Sequence, residues 1–177
     1  WTFCREHAAK LLGKSTADAK AALDKEVPRA PFAATAMITA LAMLERHPVL
    51  QTNETTRIPV LVPISGKTKP EIDEEVEKLL DSGYGTLKVK VGWDVGDDLE
   101  RVRRVQEAAR GRAAITMDAN RGYDQEQGCR FASALNPESI ALFEQPCGAD
   151  DWDANAAVAK VSTVPFMLDE SIKSTVD

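Results

Sequence analysis

Leu87-Lys88-Val89-Lys90-Val91-Gly92 is the stretch on which the fold turns. In an extended chain Leu87, Val89 and Val91 fall on one face, and Lys88 and Lys90 on the other. Three later segments repeat the pattern of an apolar run that ends in charge. They are Met117-Asp118-Ala119-Asn120, Phe143-Glu144-Gln145-Pro146 and Leu168-Asp169-Glu170-Ser171. The spacings from Asp118 to Glu144 and from Glu144 to Asp169 each hold one loop, one helix and one strand. Two lysines and three carboxylates at the carboxyl ends of successive strands describe one site. In a (β/α) barrel those ends converge on a single mouth, where the chemistry sits.

Working outward, the chain alternates regularly from Ile58. Strands are expected over Ile58–Ser65, Thr86–Val91, Ala114–Asn120, Ile140–Glu144 and Val164–Asp169. Helices are expected over Pro70–Leu80, Asp97–Ala109, Gln125–Leu135 and Trp152–Val161. The first of these helices has Pro70 in its first turn and early acids, which suit the helix dipole. Its apolar stripe is Ile72, Val76, Leu79 and Leu80. Strict alternation implies parallel strands joined by right-handed crossovers. An open, doubly wound sheet shares this alternation. Two features favour a barrel: no Gly-rich phosphate fingerprint follows the first strand, and polar residues mark every strand end rather than one switch point. The expected fold is therefore α/β, a partial (β/α) TIM-type barrel of five βα units.

The first 55 residues differ, being Ala-rich and without a strand pattern. Helices are expected over Arg5–Leu12, Thr16–Lys25 and Ala30–Leu44, followed by the polar linker Thr52-Asn53-Glu54-Thr55-Thr56. The expected domains are residues 1–56, helical, and 57–177, the barrel part.

Composition excludes several classes. A net charge of −6 disfavours nucleic acid as a partner, since phosphates call for a basic surface. No apolar run approaches the roughly 20 residues that span a bilayer. No charged-then-apolar signal opens the chain as given, which starts at Trp1 without a Met. Cys4, Cys129 and Cys147 are too scattered for a disulfide framework or a zinc spacing. Reduced thiols in a cytoplasmic protein are therefore expected, with packing as the role of Cys147 beside the mouth.

Outer barrel faces pack on helices, so Lys88 and Lys90 are expected to point inward. Inward lysines are costly unless anions compensate them. Asp118, Glu144 and Asp169 supply the anions, and three carboxylates at one mouth need a cation. All-oxygen ligation suits Mg²⁺ or Mn²⁺. Zinc is disfavoured because His7 and His47, the two histidines, both lie in the N-terminal helices, where surface or packing roles are expected. Taken singly, each motif has a plainer reading. Lys88 and Lys90 could be solvated strand residues, Asp118 a turn residue, and Asp169-Glu170-Ser171 a helix N-cap cluster. Their coincidence in register is what argues for a site.

Lys-x-Lys at Lys88 and Lys90, Asp-Ala-Asn at Asp118 to Asn120, Glu-Gln-Pro at Glu144 to Pro146, and Asp-Glu-Ser at Asp169 to Ser171 together resemble the enolase superfamily. The closer resemblance is to its mandelate racemase and muconate lactonizing enzyme branch, in the muconate lactonizing-like group. The segment around Pro31–Leu44 is similar to the helical part of that family's capping domain. The resemblance implies that Asp118, Glu144 and Asp169 bind Mg²⁺ and that Lys90 removes the α-proton of a carboxylate substrate. It implies that Lys88 stabilises the anion and depresses the pKa of Lys90, and that Asn120 positions substrate. Glu170 is then an outer residue. The implied reaction passes through an enediolate and is most readily a racemisation or epimerisation. Cycloisomerisation and elimination by a dehydratase or lyase are the alternatives. A non-catalytic barrel is disfavoured by the presence of both lysines and all three acids. The partner is a small-molecule carboxylate, and a homo-oligomer is expected for the full-length protein. A full family member has eight barrel units and a cap begun by a β-hairpin. The chain is therefore expected to be part of a longer protein, with a second acid or base on a later strand.

Overall fold

The computed structural model describes residues 1–52 and 54–174. Asn53, in the expected linker, lies outside the described residues. The chain divides into two compact units, Trp1–Arg57 and Ile58–Asp177.

The first unit holds α1 (Thr2–Leu11), α2 (Thr16–Asp24), α3 (Pro31–Leu44) and a 3₁₀ turn at Pro48–Leu50. Helices α1 and α2 both pack on α3. The Ser15 side chain caps α2 by accepting from Asp18 N, and Pro31 opens α3, where its missing N–H costs nothing. Ala19, Leu23 and Ala34 form the small buried centre. His7 is buried and stacks on Phe3, with ring centroids 3.9 Å apart. His47 is exposed, and its Nδ1 accepts from Val49 N.

The second unit alternates β1 (Val62–Pro63), α4 (Lys69–Asp81), β2 (Thr86–Lys90), α5 (Val95–Ala109), β3 (Ala114–Asp118), α6 (Gln125–Ala134), β4 (Ile140–Glu144), α7 (Trp152–Val161) and β5 (Phe166–Met167). The strands lie in the order β1-β2-β3-β4-β5, and every pair is parallel. A doubly wound sheet reverses its order at a switch point. This sheet never reverses, which is the barrel-type arrangement. Each helix packs on the next: α4 on α5, α5 on α6, α6 on α7.

The core lies between strands and helices. Leu87 and Val89 on β2, Ile115 and Met117 on β3 and Phe143 on β4 are wholly buried. They meet Ile72 and Val76 of α4, Val102 and Val105 of α5, Phe131 of α6 and Val158 of α7. Short βα loops end in acidic caps. The Asp94 side chain accepts from Gly96 N and Asp97 N, Asp124 from Gln127 N, and Asp151 from Ala154 N. These caps fix the first turns of α5, α6 and α7 and supply acceptors for backbone donors that a helix start leaves unpaired.

Three strands are shorter by two or more residues than the sequence predicts. The run Ile58–Ser65 pairs only at Val62–Pro63, while Ile58, Val60 and Leu61 are 76%, 61% and 48% exposed. Pro59 and Pro63 remove donors from this run, and its described neighbour lies on one side only. The run Val164–Asp169 is reduced to Phe166–Met167, again interrupted by proline, at Pro165. Strand β3 stops at Asp118 rather than Asn120, because Asn120 and Arg121 take φ of 42° and 67°. Asn is among the residues that tolerate this left-handed region.

Candidate active site

Alternation along β2 places Lys88 and Lys90 on the face opposite Leu87 and Val89. The neighbouring strand puts Asp118 level with Lys90, and β4 puts Glu144 level with Asp118. Register thus brings four charged side chains to one end of the sheet. Lys88 Nζ lies 2.8 Å from Asp118 Oδ2 and 2.8 Å from Glu144 Oε2. Lys90 Nζ lies 2.6 Å from the same Asp118 oxygen. Asp118 Oδ1 accepts the backbone N–H of Asn120 at 2.9 Å. The Asn120 side-chain oxygen closes on Lys90 Nζ in a short hydrogen bond.

The two lysines differ in environment. The Lys88 side chain is 17% exposed and Lys90 42%. Burial works against the Lys88 ammonium, but Asp118 and Glu144 outweigh it and raise its pKa. Burial likewise opposes the Asp118 carboxylate, yet Lys88 and Lys90, with the Asn120 N–H, hold its pKa below the usual value. Lys88 is a fixed cation clamped between two acids. Lys90 reaches outward from the same cluster.

Asp169 sits after β5 and is exposed. Its backbone N–H donates to Gln145 Oε1 at 2.8 Å, and its carboxylate makes no ion pair among the described residues. The structure therefore joins Lys88, Lys90, Asp118, Asn120 and Glu144 in one contact network, and it leaves the Asp169 carboxylate outside that network. Glu170 Oε1 accepts from Asn120 Nδ2 at 3.4 Å and faces Arg121 Nε at 3.3 Å, while Glu170 Oε2 is buried without a hydrogen-bond partner.

Two supports went unrecognised in the sequence. Asp98 on α5 is 3% exposed and accepts from Gly92 N, Trp93 N and the Tyr123 hydroxyl at 2.9, 2.9 and 2.6 Å. It ties the loop after β2 to the loop after β3. The hydroxyl of Tyr123 is pushed well above its ordinary pKa by burial and by Asp98. A signal was present: Asp98 falls four residues before Val102 on the buried stripe of α5, where a carboxylate has to find donors. Gln145, inside the quoted Glu-Gln-Pro, is wholly buried and bonds the loop after β5. The two loops after β2 and β3 also touch directly. A Cβ on Gly122 would stand 2.2 Å from Gly92 O, so only glycine fits there.

A parallel sheet in sequential order with helices between its strands, and a Lys–Asp–Lys–Glu cluster at the strand ends, define a (β/α) barrel-type fold with a charged site at one end of its sheet. Residues 71–177 match the family described as Enolase C-terminal domain-like, and the chain belongs to that family. It is 35% identical over 103 residues to an N-succinyl-L-Arg/Lys racemase of Bacillus cereus, covering 58% of this chain and 28% of the racemase. In structure it resembles a mandelate racemase/muconate lactonizing protein from Herpetosiphon aurantiacus, with TM-score 0.81 and 28% identity over 97% of this chain and 51% of that one. It also resembles a dipeptide epimerase from Cytophaga hutchinsonii complexed with Mg and the dipeptide D-Ala-L-Val. There the TM-score is 0.59 and the identity 27%, over 64% of this chain and 31% of that one. The chain thus spans less than a third of the length of the racemase that it matches.

The family implies a divalent cation, and the donor types fit one. Asp118 and Glu144 offer hard carboxylate oxygens, the kind Mg²⁺ and Mn²⁺ take. Both already converge on a single positive group, the Lys88 ammonium. Among the described residues, no three of His, Cys, Asp and Glu stand grouped closely enough to hold a metal. No described helix is long and apolar enough to cross a membrane.

Proposed function

We propose that the protein is a Mg²⁺-dependent isomerase that removes the proton α to a carboxylate, acting as a racemase or epimerase on N-acylated amino acids or dipeptides. The observation that carries this reading is the cluster of Lys88, Asp118, Lys90 and Glu144 at the ends of three adjacent parallel strands. Asp118, Glu144 and Asp169 would hold the cation. When bound, it would supply positive charge for the second negative charge that develops on the substrate carboxylate.

This chain's residues divide the remaining work. Lys90, the more exposed lysine, takes the α-proton on its Nζ, and the carbon's electron pair moves into the carboxylate. Lys88, held in place by Asp118 and Glu144, keeps a fixed positive charge beside the resulting enediolate. A charge fixed before the reaction needs no reorganisation as the anion forms. Asn120 orients the Lys90 amine through its side-chain oxygen. Return of a proton to the opposite face of the carbon gives the epimer.

The substrate class rests on the similarity to the succinylamino acid racemase and the dipeptide epimerase. The test is proton exchange. The full-length protein is incubated in D₂O with N-succinyl amino acids and with dipeptides, with Mg²⁺ or with excess EDTA, and the α-proton signal is followed by NMR. Loss of that signal with Mg²⁺ and its persistence with EDTA are expected. Exchange that is equally fast in EDTA would refute the metal requirement. No exchange with any compound of either class, together with turnover of an unsaturated dicarboxylate, would move the protein to cycloisomerisation.

A further inference from the structure

We propose that Gln145 is a positioning residue that sets the Asp169–Ser171 loop against the ends of β3 and β4. This rests on the reading of Asp169 as a cation ligand. Gln145 follows Glu144 directly and is wholly buried. Every polar group it owns is engaged. Its side-chain oxygen accepts from Asp169 N at 2.8 Å and Ser171 N at 3.1 Å. Its side-chain nitrogen donates to Ser171 Oγ at 2.8 Å and Cys147 O at 3.1 Å. Its backbone N–H donates to Met167 O at 2.9 Å, and its backbone oxygen accepts from Arg121 N at 2.8 Å.

One residue therefore joins the loop after β3, its own loop after β4 and the loop after β5. These are the three segments that carry or adjoin Asp118, Glu144 and Asp169. A φ of 38° at Gln145 is unusual for a residue with a side chain. Such conformations persist where surrounding contacts over-determine them, and they gather at functional sites. Asp169 lies two residues beyond an edge strand with only two paired residues, and among the described residues it makes no ion pair of its own. Nothing else described bonds its backbone N–H. The position of its carboxylate is thus set through Gln145, as outer groups orient metal ligands elsewhere.

The experiment compares Gln145→Met, Gln145→Glu and Ser171→Ala with the unsubstituted full-length protein. Mn²⁺ affinity is read by EPR, and hydrogen exchange is followed over residues 168–172. Met keeps length and loses both acceptor and donor. Glu keeps an acceptor for the Asp169 and Ser171 N–H groups. Gln145→Met is expected to weaken Mn²⁺ binding about 10- to 100-fold and to speed exchange at 168–172. Gln145→Glu is expected to restore most of the affinity and the protection. Should Gln145→Met fail to fold, Ser171→Ala, which removes one acceptor of the amide nitrogen, is expected to move both readouts in the same direction by a smaller factor. A folded Gln145→Met protein with unchanged Mn²⁺ affinity and unchanged exchange would overturn the proposal, as would an unchanged Ser171→Ala where Gln145→Met does not fold. If the unsubstituted protein binds no Mn²⁺, the cation reading fails by itself, and the exchange arm alone decides whether Gln145 holds the loop.

Discussion

Replacing Asp98 by Ala removes the acceptor for three donors at once: Gly92 N, Trp93 N and the Tyr123 hydroxyl. A hydrogen bond to a charged group contributes about 1.5–3 kcal/mol net. Three such bonds would sum to between about 5 and 9 kcal/mol. The sum overstates the loss, because bonds to one carboxylate are not additive and water enters the truncated site. Breaking a buried charged network by removing one member costs about 3–5 kcal/mol, and that is the expected range for Asp98→Ala. Tyr123→Phe removes one of the three donors and leaves Asp98 with two backbone partners, so about 1.5 kcal/mol is expected. Urea unfolding of the full-length protein, followed by tryptophan fluorescence, reads both values. Asp98→Ala within about 1 kcal/mol of the parent would refute the claim that this carboxylate holds the two loops. So would a Tyr123→Phe loss equal to that of Asp98→Ala.

Gly122→Ala is expected to lower the melting temperature sharply, since the new Cβ would meet Gly92 O at 2.2 Å and neither backbone can retreat; a melt within two or three degrees of the parent (~1 kcal/mol for a protein of this size) would contradict the close approach. Burial pushes the Cys147 thiol up to about 11. Thiolate is the reactive form, so iodoacetamide at pH 7.5 should label Cys4 and Cys129 ahead of Cys147, as read by peptide mass mapping. The Asp118 carboxyl is held low in the folded state. Its contribution is therefore fully present above its unfolded value near pH 4 and is lost as pH falls through the folded value. Asp118→Asn should accordingly cost more stability at pH 7 than at pH 3, measured by urea midpoints. An equal cost at both pH values would show that the charge is not what stabilises the pair.

Much of this fold was legible because its signals are local. The βα alternation shows in period and punctuation, and β4 and α7 fall where the pattern places them. Lys88 and Lys90 reveal their face through their apolar neighbours. What was not legible depends on pairing and on distance. Ile58–Ser65 is apolar enough for a strand, but strand formation needs a ladder partner along its length, and Pro59 and Pro63 interrupt the donors. The Asp98–Tyr123 contact joins residues 25 apart in sequence, and nothing local indicates that they meet. Gln145 stood inside a recognised motif, yet its role lies in the Asp169 and Ser171 N–H groups more than twenty residues on. The network at Lys88, Asp118 and Glu144 was expected from register alone, whereas the exposure of Asp169 reflects a two-residue strand that the sequence made longer.

The most direct test of the account is the Lys90→Ala variant of the full-length protein, assayed for α-proton exchange in D₂O on a substrate that the parent exchanges. Loss of a positioned base typically costs about 10²- to 10⁴-fold. A fall in that range is expected, with Mn²⁺ binding and thermal stability close to the parent. Exchange within about threefold of the parent in a folded Lys90→Ala protein, far short of the loss of a base, would place the base elsewhere and contradict the central claim.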